Sequence, residues 1–168
     1  MIIYRFHKPS DFVGLVSLYH DFFACHRQLL GNSAPLTDTE ALEITRESLR
    51  QKQSWLIVAE EQETGQLVGF ARWEEREGAF FGRELFVCPE HRGQGIGARL
   101  LEEVERKVQQ AGSDALFISI IPQNRRMLAF SVRHGYDTLN TVELRKELGN
   151  EQSRRKTITL FGLKFKII

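Results

Sequence analysis

The sequence predicts a single α/β domain, with a mixed, mainly antiparallel sheet of six to seven strands and about four flanking helices. Three observations predict it. Apolar runs of strand length alternate with amphipathic stretches in the order β-α-α-β-β-β-α-β-α-β-β. Three consecutive strand runs are joined by short turns, Glu63-Thr64-Gly65-Gln66 and Arg76-Glu77-Gly78, which makes an antiparallel meander. A glycine-rich hexapeptide, Arg92-Gly93-Gln94-Gly95-Ile96-Gly97, then leads from the last of these strands into an amphipathic segment.

Ile2 to Phe6 reads as a short first strand. Ser10 is a capping residue for a helix that carries Phe12, Leu15, Val16, Tyr19 and Phe22 on one face. Gly31 to Pro35 breaks that helix. Thr37 and Glu40 have capping-box spacing and open a second helix that runs to about Gln51. The meander follows: Trp55 to Glu60, Leu67 to Trp73 and Phe80 to Val87. Leu100, Leu101, Val104 and Val108 form the buried stripe of the helix beyond the hexapeptide, and Gly112 ends it. Leu116 to Ile120 is the next strand, and Asn124 to His134 the next helix. A further strand is expected between Tyr136 and Leu148, then a charged turn from Asn150 to Lys156. Thr157 to Ile167 reads as a last strand whose apolar phase changes, with a bulge near Gly162.

Composition bounds the function. The chain has 168 residues, 42% hydrophobic and 27% charged, which suits one compact domain over residues 1–168. The 23 basic and 22 acidic residues leave a net charge of +1, so no strong field recruits nucleic acid or an anionic membrane. Cys25 and Cys88 are the only cysteines, and the opening residues carry no basic lead with a long apolar segment. A reducing, cytoplasmic setting is the expectation. The histidines form no metal-ligand set; His20 and His26 lie on different helix faces. Cys88 reads as a small buried hydrophobe.

The hexapeptide carries the chemistry. Glycines between a strand and a helix let several backbone N–H groups point at one spot, beside the positive end of a helix dipole. That arrangement holds an anionic group such as a pyrophosphate. The string Gly93-x-Gly95-x-x-Ala98 satisfies a loose dinucleotide pattern. It sits mid-chain, however, and the next strand brings no carboxylate at its end. No Gly-Lys-Ser/Thr is present either.

These residues resemble the GCN5-related N-acetyltransferase (GNAT) family, whose acyl-CoA loop reads Arg/Gln-x-x-Gly-x-Gly/Ala. Arg92, Gly95 and Gly97 fill that pattern, and Leu85-x-Val87-x-Pro89-Glu90 is similar to the preceding strand. Downstream, Asn124-x-x-Met127-x-x-Phe130-Ser131-x-Arg133-x-Gly135-Tyr136 is similar to the family's second block. The resemblance implies the GNAT fold, splayed between the fourth and fifth strands. It also implies direct transfer of an acetyl group from acetyl-CoA to a primary amine, without a metal.

By the same resemblance, Leu85, Phe86 and Val87 offer backbone groups to the pantetheine arm, and Gly93, Gln94, Gly95, Ile96, Gly97 and Ala98 hold the pyrophosphate behind Arg92. Asn124, in the block that includes Met127, reaches the pantetheine, and Arg125 or Arg126 the adenosine end. By local rules alone Asn124 is a helix cap and the two arginines are a solvated face. Glu84 is the candidate proton acceptor, against a structural reading in which it faces solvent or pairs with Arg83. Glu74 and Glu75 are weaker candidates. Ser131 stands where the family often has a tyrosine that protonates the leaving thiolate. Tyr136 and Tyr19 read as core. A small amine of polyamine, amino-acid or aminoglycoside type is the first choice of acceptor and a protein amino group the second. A non-catalytic acyl-CoA sensor is the alternative from another class. The apolar last strand either pairs across a homodimer or covers its own sheet.

Overall fold

The computed structural model describes residues 1–32, 34–146, 148 and 156–167. The break expected over 31–35 is described except at residue 33, and the charged turn ahead of Lys156 lies outside the described residues. The chain forms two compact units, Met1–Ser119 and Ile120–Ile168.

The first unit carries a five-stranded sheet in sequence order: β1 (Ile2–Phe6), β2 (Ser54–Glu61), β3 (Leu67–Arg76), β4 (Ala79–Val87) and β5 (Leu116–Ile118). All neighbours are antiparallel except β4 and β5, which run parallel. Helix α3 (Ile96–Gln110) covers one face, with Ile96, Leu100, Val104 and Val108 packed on Ile57, Ala59, Ala71, Trp73 and Phe80. The opposite face packs Leu56, Val58, Phe70 and Phe86 against Leu15, Leu18 and Tyr19 of α1 (Phe12–Leu29), with Ile44 and Leu49 of α2 (Asp38–Arg50) beside them. Alternation along the strands divides the two cores, since successive side chains point to opposite faces.

Thr37 caps α2 as its spacing predicts: its Oγ1 accepts from the Glu40 N–H at 3.2 Å, and Glu40 Oε2 accepts from the Thr37 N–H at 2.8 Å. Ser10 is not the cap of α1. It lies in a one-turn 3-10 helix, Pro9–Asp11, and Asp11 holds the cap position. Asp11 instead turns its carboxylate to Arg5 at 2.7 and 2.8 Å and to the Lys8 N–H at 2.8 Å. Arg5 of β1 also binds Glu60 of β2. An ionic knot therefore ties the start of α1 to the sheet, a contact no local rule anticipates.

The second unit holds α4 (Arg125–Arg133) and a hairpin of β6 (Lys156–Leu160) with β7 (Leu163–Ile167). Described residues 136–146 form no regular strand, where the sequence suggests one. The last strand is likewise two strands. Phe161 and Gly162 both adopt positive φ, 52° and 75°, in a two-residue turn. Reversal of the chain, not a bulge, explains the apolar phase change: Ile158 faces Phe165 and Leu160 faces Leu163 across the hairpin. No helix among the described residues is long and apolar enough to cross a membrane.

Candidate active site

The site is built on the free edge of β4. Pairing with β5 covers Phe80, Phe81 and Gly82 and ends at Gly82–Ile118. Gly82 passes so close to β5 that a Cβ there would lie 3.0 Å from Ile118 Cγ2. Beyond it β4 runs to Val87 with no strand partner on that side among the described residues, so the sheet is splayed. At this point β4 also bulges. Arg72 of β3 faces Glu84 while Trp73 faces Gly82, which leaves Arg83 as the extra residue.

Backbone alternation then sorts the donors and acceptors. The Cys88 N–H donates to Val68 C=O on β3 at 2.9 Å. Two residues back, the Phe86 N–H and C=O therefore also face β3, and those of Leu85 and Val87 face the open edge. Phe86 thus joins the β3 ladder with its backbone and contributes its ring instead, against Phe22 and Phe70 and under the Arg92 guanidinium at 5.5 Å.

After Val87 the chain makes a one-turn 3-10 helix, Pro89–His91, and enters the glycine loop. Gly93 and Gly95 adopt φ of 78° and 80°, left-handed values that a side chain resists. Gly95 caps α3 with no side chain, and the first α3 bond runs from Arg99 N–H to Gly95 C=O at 3.0 Å. The N–H groups from Gly93 to Ala98 are thus left without a protein acceptor among the described residues. Unpaired N–H groups at a helix N-terminus favour an anion. Arg92 does not reach away from the loop. Its Nε donates to Val87 C=O at 2.8 Å and closes the loop onto the strand. Gln94 Nε2 donates to Glu90 C=O at 3.4 Å.

Glu84 neither faces solvent nor pairs with Arg83. Its carboxylate takes both arms of Arg72, Nε at 2.5 Å and Nη2 at 2.9 Å. Arg72 is buried and completes its bonding with Gln51 Oε1 at 2.6 Å and Ser54 Oγ at 3.1 Å. Arg83 lies near Glu74 instead, at 3.6 Å. Tyr19 is fully buried on Phe70, ring centroids 4.6 Å apart, and its hydroxyl, beside Ser48 and Arg72, makes no hydrogen bond of normal geometry among the described residues. Burial first, and then the negative charge of Glu84, hold that phenol well above its usual range. Burial also pushes the Cys88 thiol up to about 11, which fits a core role. His20 is held between Asp21 and Leu36 C=O, each at 3.1 Å.

In the second unit Asn124 is the cap of α4, its Oδ1 accepting from the Met127 N–H at 3.0 Å. Arg125 and Arg126 are exposed. Ser131 is buried, and its Oγ has no hydrogen-bond partner.

Sequence reasoning missed Arg72, the bulge at Arg83 and the Gln51–Ser54 support. One signal was available: an arginine inside the apolar run Leu67-Val68-Gly69-Phe70-Ala71-Arg72-Trp73. A charge there requires a partner.

A splayed β4, a glycine loop and a bare helix N-terminus are the features of the site. The model of the acetyltransferase (GNAT) family matches residues 15–136, and the chain belongs to that family. It is similar to YhfO of Bacillus subtilis (strain 168), described as an uncharacterized N-acetyltransferase, at 26% identity over 136 residues, 77% of this chain and 86% of the relative. Among solved structures it is similar to the aminoglycoside antibiotic 6′-N-acetyltransferase AAC(6′)-Ih from Acinetobacter baumannii. That match has a TM-score of 0.68 at 18% identity, over 89% of this chain and 100% of the other. It is similar also to the PaiA N-acetyltransferase from Thermoplasma acidophilum, solved in complex with coenzyme A, with a TM-score of 0.64 at 16% identity over 80% and 89%. Both structural likenesses concern the fold.

Proposed function

We propose that this chain is one acetyltransferase domain over residues 1–168 that moves an acetyl group from acetyl-CoA directly to the primary amine of a small molecule. The observation that carries the reading is the row of unpaired N–H groups from Gly93 to Ala98, set just past the open edge of β4. The coenzyme A complex of one structural neighbour and the aminoglycoside acceptor class of another support the cofactor and the substrate class. The acceptor is of polyamine, amino-acid or aminoglycoside type.

In this reading the loop amides and the α3 dipole hold the diphosphate, and Arg92 keeps the loop in shape. Leu85 and Val87 N–H groups at the free edge bond the pantetheine, and one of them polarises the thioester carbonyl. Glu84 keeps two carboxylate lone pairs beyond those engaged by Arg72. It accepts the proton of the incoming ammonium, directly or through a water. The neutral amine then attacks the thioester carbonyl, the C–N bond forms, the C–S bond breaks, and the nitrogen passes its remaining extra proton to the departing thiolate. The thiolate leaves with little assistance, since a thiol of pKa about 8.5 is a competent leaving group. Ser131 Oγ, by the family resemblance, donates a hydrogen bond to the sulfur and replaces the usual tyrosine. Arg125 or Arg126 meets the adenosine end and Asn124 the pantetheine, on the same resemblance.

The β6–β7 hairpin pairs with no other described strand, and a lone hairpin is marginal by itself. It is the proposed contact of a homodimer in the cytoplasm. The test of the function is calorimetry with coenzyme A followed by thiol release from acetyl-CoA with an amine panel. Binding with turnover of a small amine is the expected result. No heat at saturating coenzyme ends the reading. Binding with no turnover of any small amine or peptide amine moves it to an acyl-CoA sensor.

A further inference from the structure

We infer that Arg72 is a positioning residue for the transfer, setting the carboxylate of Glu84 from elements outside β4. The inference rests on the reading of Glu84 as proton acceptor.

The bulge at Arg83 shifts the register so that Glu84 and Arg72 fall directly opposite. Arg72 grips both carboxylate oxygens, Nε–Oε2 at 2.5 Å and Nη2–Oε1 at 2.9 Å. A two-point grip fixes the carboxylate plane as well as its place; a single bond leaves it free to rotate. The guanidinium is itself fixed. Its Nη1 donates to Gln51 Oε1, just past α2, at 2.6 Å and to Ser54 Oγ, at the start of β2, at 3.1 Å. Glu74 Oε2 stands 3.7 Å from Nη1 as a second counter-charge. Only 4% of the Arg72 side chain and 11% of the Glu84 side chain is exposed. Arg72 therefore cannot reach an acceptor amine, and it acts through Glu84. The junction of α2 and β2 thereby determines where a residue of β4 presents its remaining lone pairs. A displacement of about 1 Å in a catalytic group costs as much as about 100-fold in rate.

The deciding experiment compares Arg72→Lys, Gln51→Ala and Glu84→Gln in the full chain. Lysine keeps the charge and loses the two-point grip. Rates are read with spermidine, an ammonium at neutral pH, and with an aniline, which is already neutral and needs no deprotonation before it attacks. Arg72→Lys is expected to lower kcat for spermidine at least about tenfold, with KM for acetyl-CoA unchanged and the aniline rate unchanged. Gln51→Ala is expected to do the same more weakly. A crystal structure of Arg72→Lys reads the position of Glu84 whether or not either amine is turned over. A carboxylate rotated out of its original plane supports the inference. An unmoved carboxylate overturns it, as does a wild-type kcat for spermidine in Arg72→Lys. Equal losses with spermidine and aniline also overturn it, because a merely structural role affects both. Glu84→Gln at the wild-type rate removes Glu84 as the base and overturns the inference with it, while acetyl transfer by the domain stands.

Discussion

Arg72 and Glu84 face each other across β3 and β4, and one guanidinium holds both oxygens of one carboxylate. The two partners are unequally provided for. Without Glu84, Arg72 keeps Gln51, Ser54 and the nearby Glu74. Without Arg72, Glu84 keeps no hydrogen-bonded side-chain partner among the described residues.

This asymmetry predicts unequal stability losses. Arg72→Met leaves a buried carboxylate alone and costs about 3 kcal/mol or more. Glu84→Gln costs about 1 kcal/mol, since an amide oxygen still accepts from Arg72. Urea denaturation of the two variants measures the difference, and equal midpoints would contradict it.

Tyr19→Phe is expected to leave stability within about 0.5 kcal/mol of wild type, or to raise it slightly. The hydroxyl is buried beside Ser48 and Arg72 but within the geometry of a hydrogen bond to neither, so its removal loses little. The ring packing on Phe70 and Phe23 is retained. A loss above about 1 kcal/mol would reveal a bonded hydroxyl.

Two glycines fail for different reasons. A Cβ at Gly69 would sit 2.7 Å from Phe86 C=O, so Gly69→Ala forces β3 from β4 and costs about 2 kcal/mol or more in a thermal melt. A Cβ at Gly93 meets nothing, and only its φ of 78° resists it. Gly93→Ala therefore costs about 1 kcal/mol, while calorimetry is expected to show weaker coenzyme A binding as the loop amides turn.

Arg92→Lys breaks the Nε bond to Val87 C=O and uncovers the Phe86 ring. A roughly tenfold weaker coenzyme A affinity is expected, with overall stability lowered by about 1 kcal/mol. Unchanged affinity would show that the loop holds its shape without the clamp.

Acid stability depends on Asp11. Its hydrogen bond with Arg5, aided by the Lys8 N–H, holds its carboxyl below the usual range against the opposing effect of burial. A depressed folded-state pKa stabilises above the unfolded value near ~3.9, and that contribution fades as pH falls through the folded-state value. Asp11→Asn is expected to lose about 2 kcal/mol at pH 7 and to flatten the acid limb of the stability curve below about pH 4. Denaturant midpoints from pH 2 to pH 7 give the comparison.

Much of the site was legible because its parts are local. Gly93 and Gly95 bend the chain by their own conformational freedom, and the α3 amides are bare because no capping side chain precedes them. Thr37 with Glu40 and Asn124 with Met127 are contacts within three residues, which spacing alone reveals. Arg72 with Glu84 spans 12 positions and Arg5 with Glu60 spans 55, so neither pairing leaves a local mark. Phe161-Gly162 was misread as a bulge because a tight reversal and a bulge both shift the apolar phase by one residue.

The sequence by itself determined the element order as far as α4, the glycine loop ahead of α3 and the membership that its two motifs announce, because these depend on backbone preferences and short-range periodicity. The tertiary structure decided which charge meets which. Register between strands, including the single extra residue at Arg83, places Glu84 opposite Arg72 rather than beside Arg83. The physical reason is that a buried charge takes the partner that packing brings within reach, and packing is a property of the whole sheet.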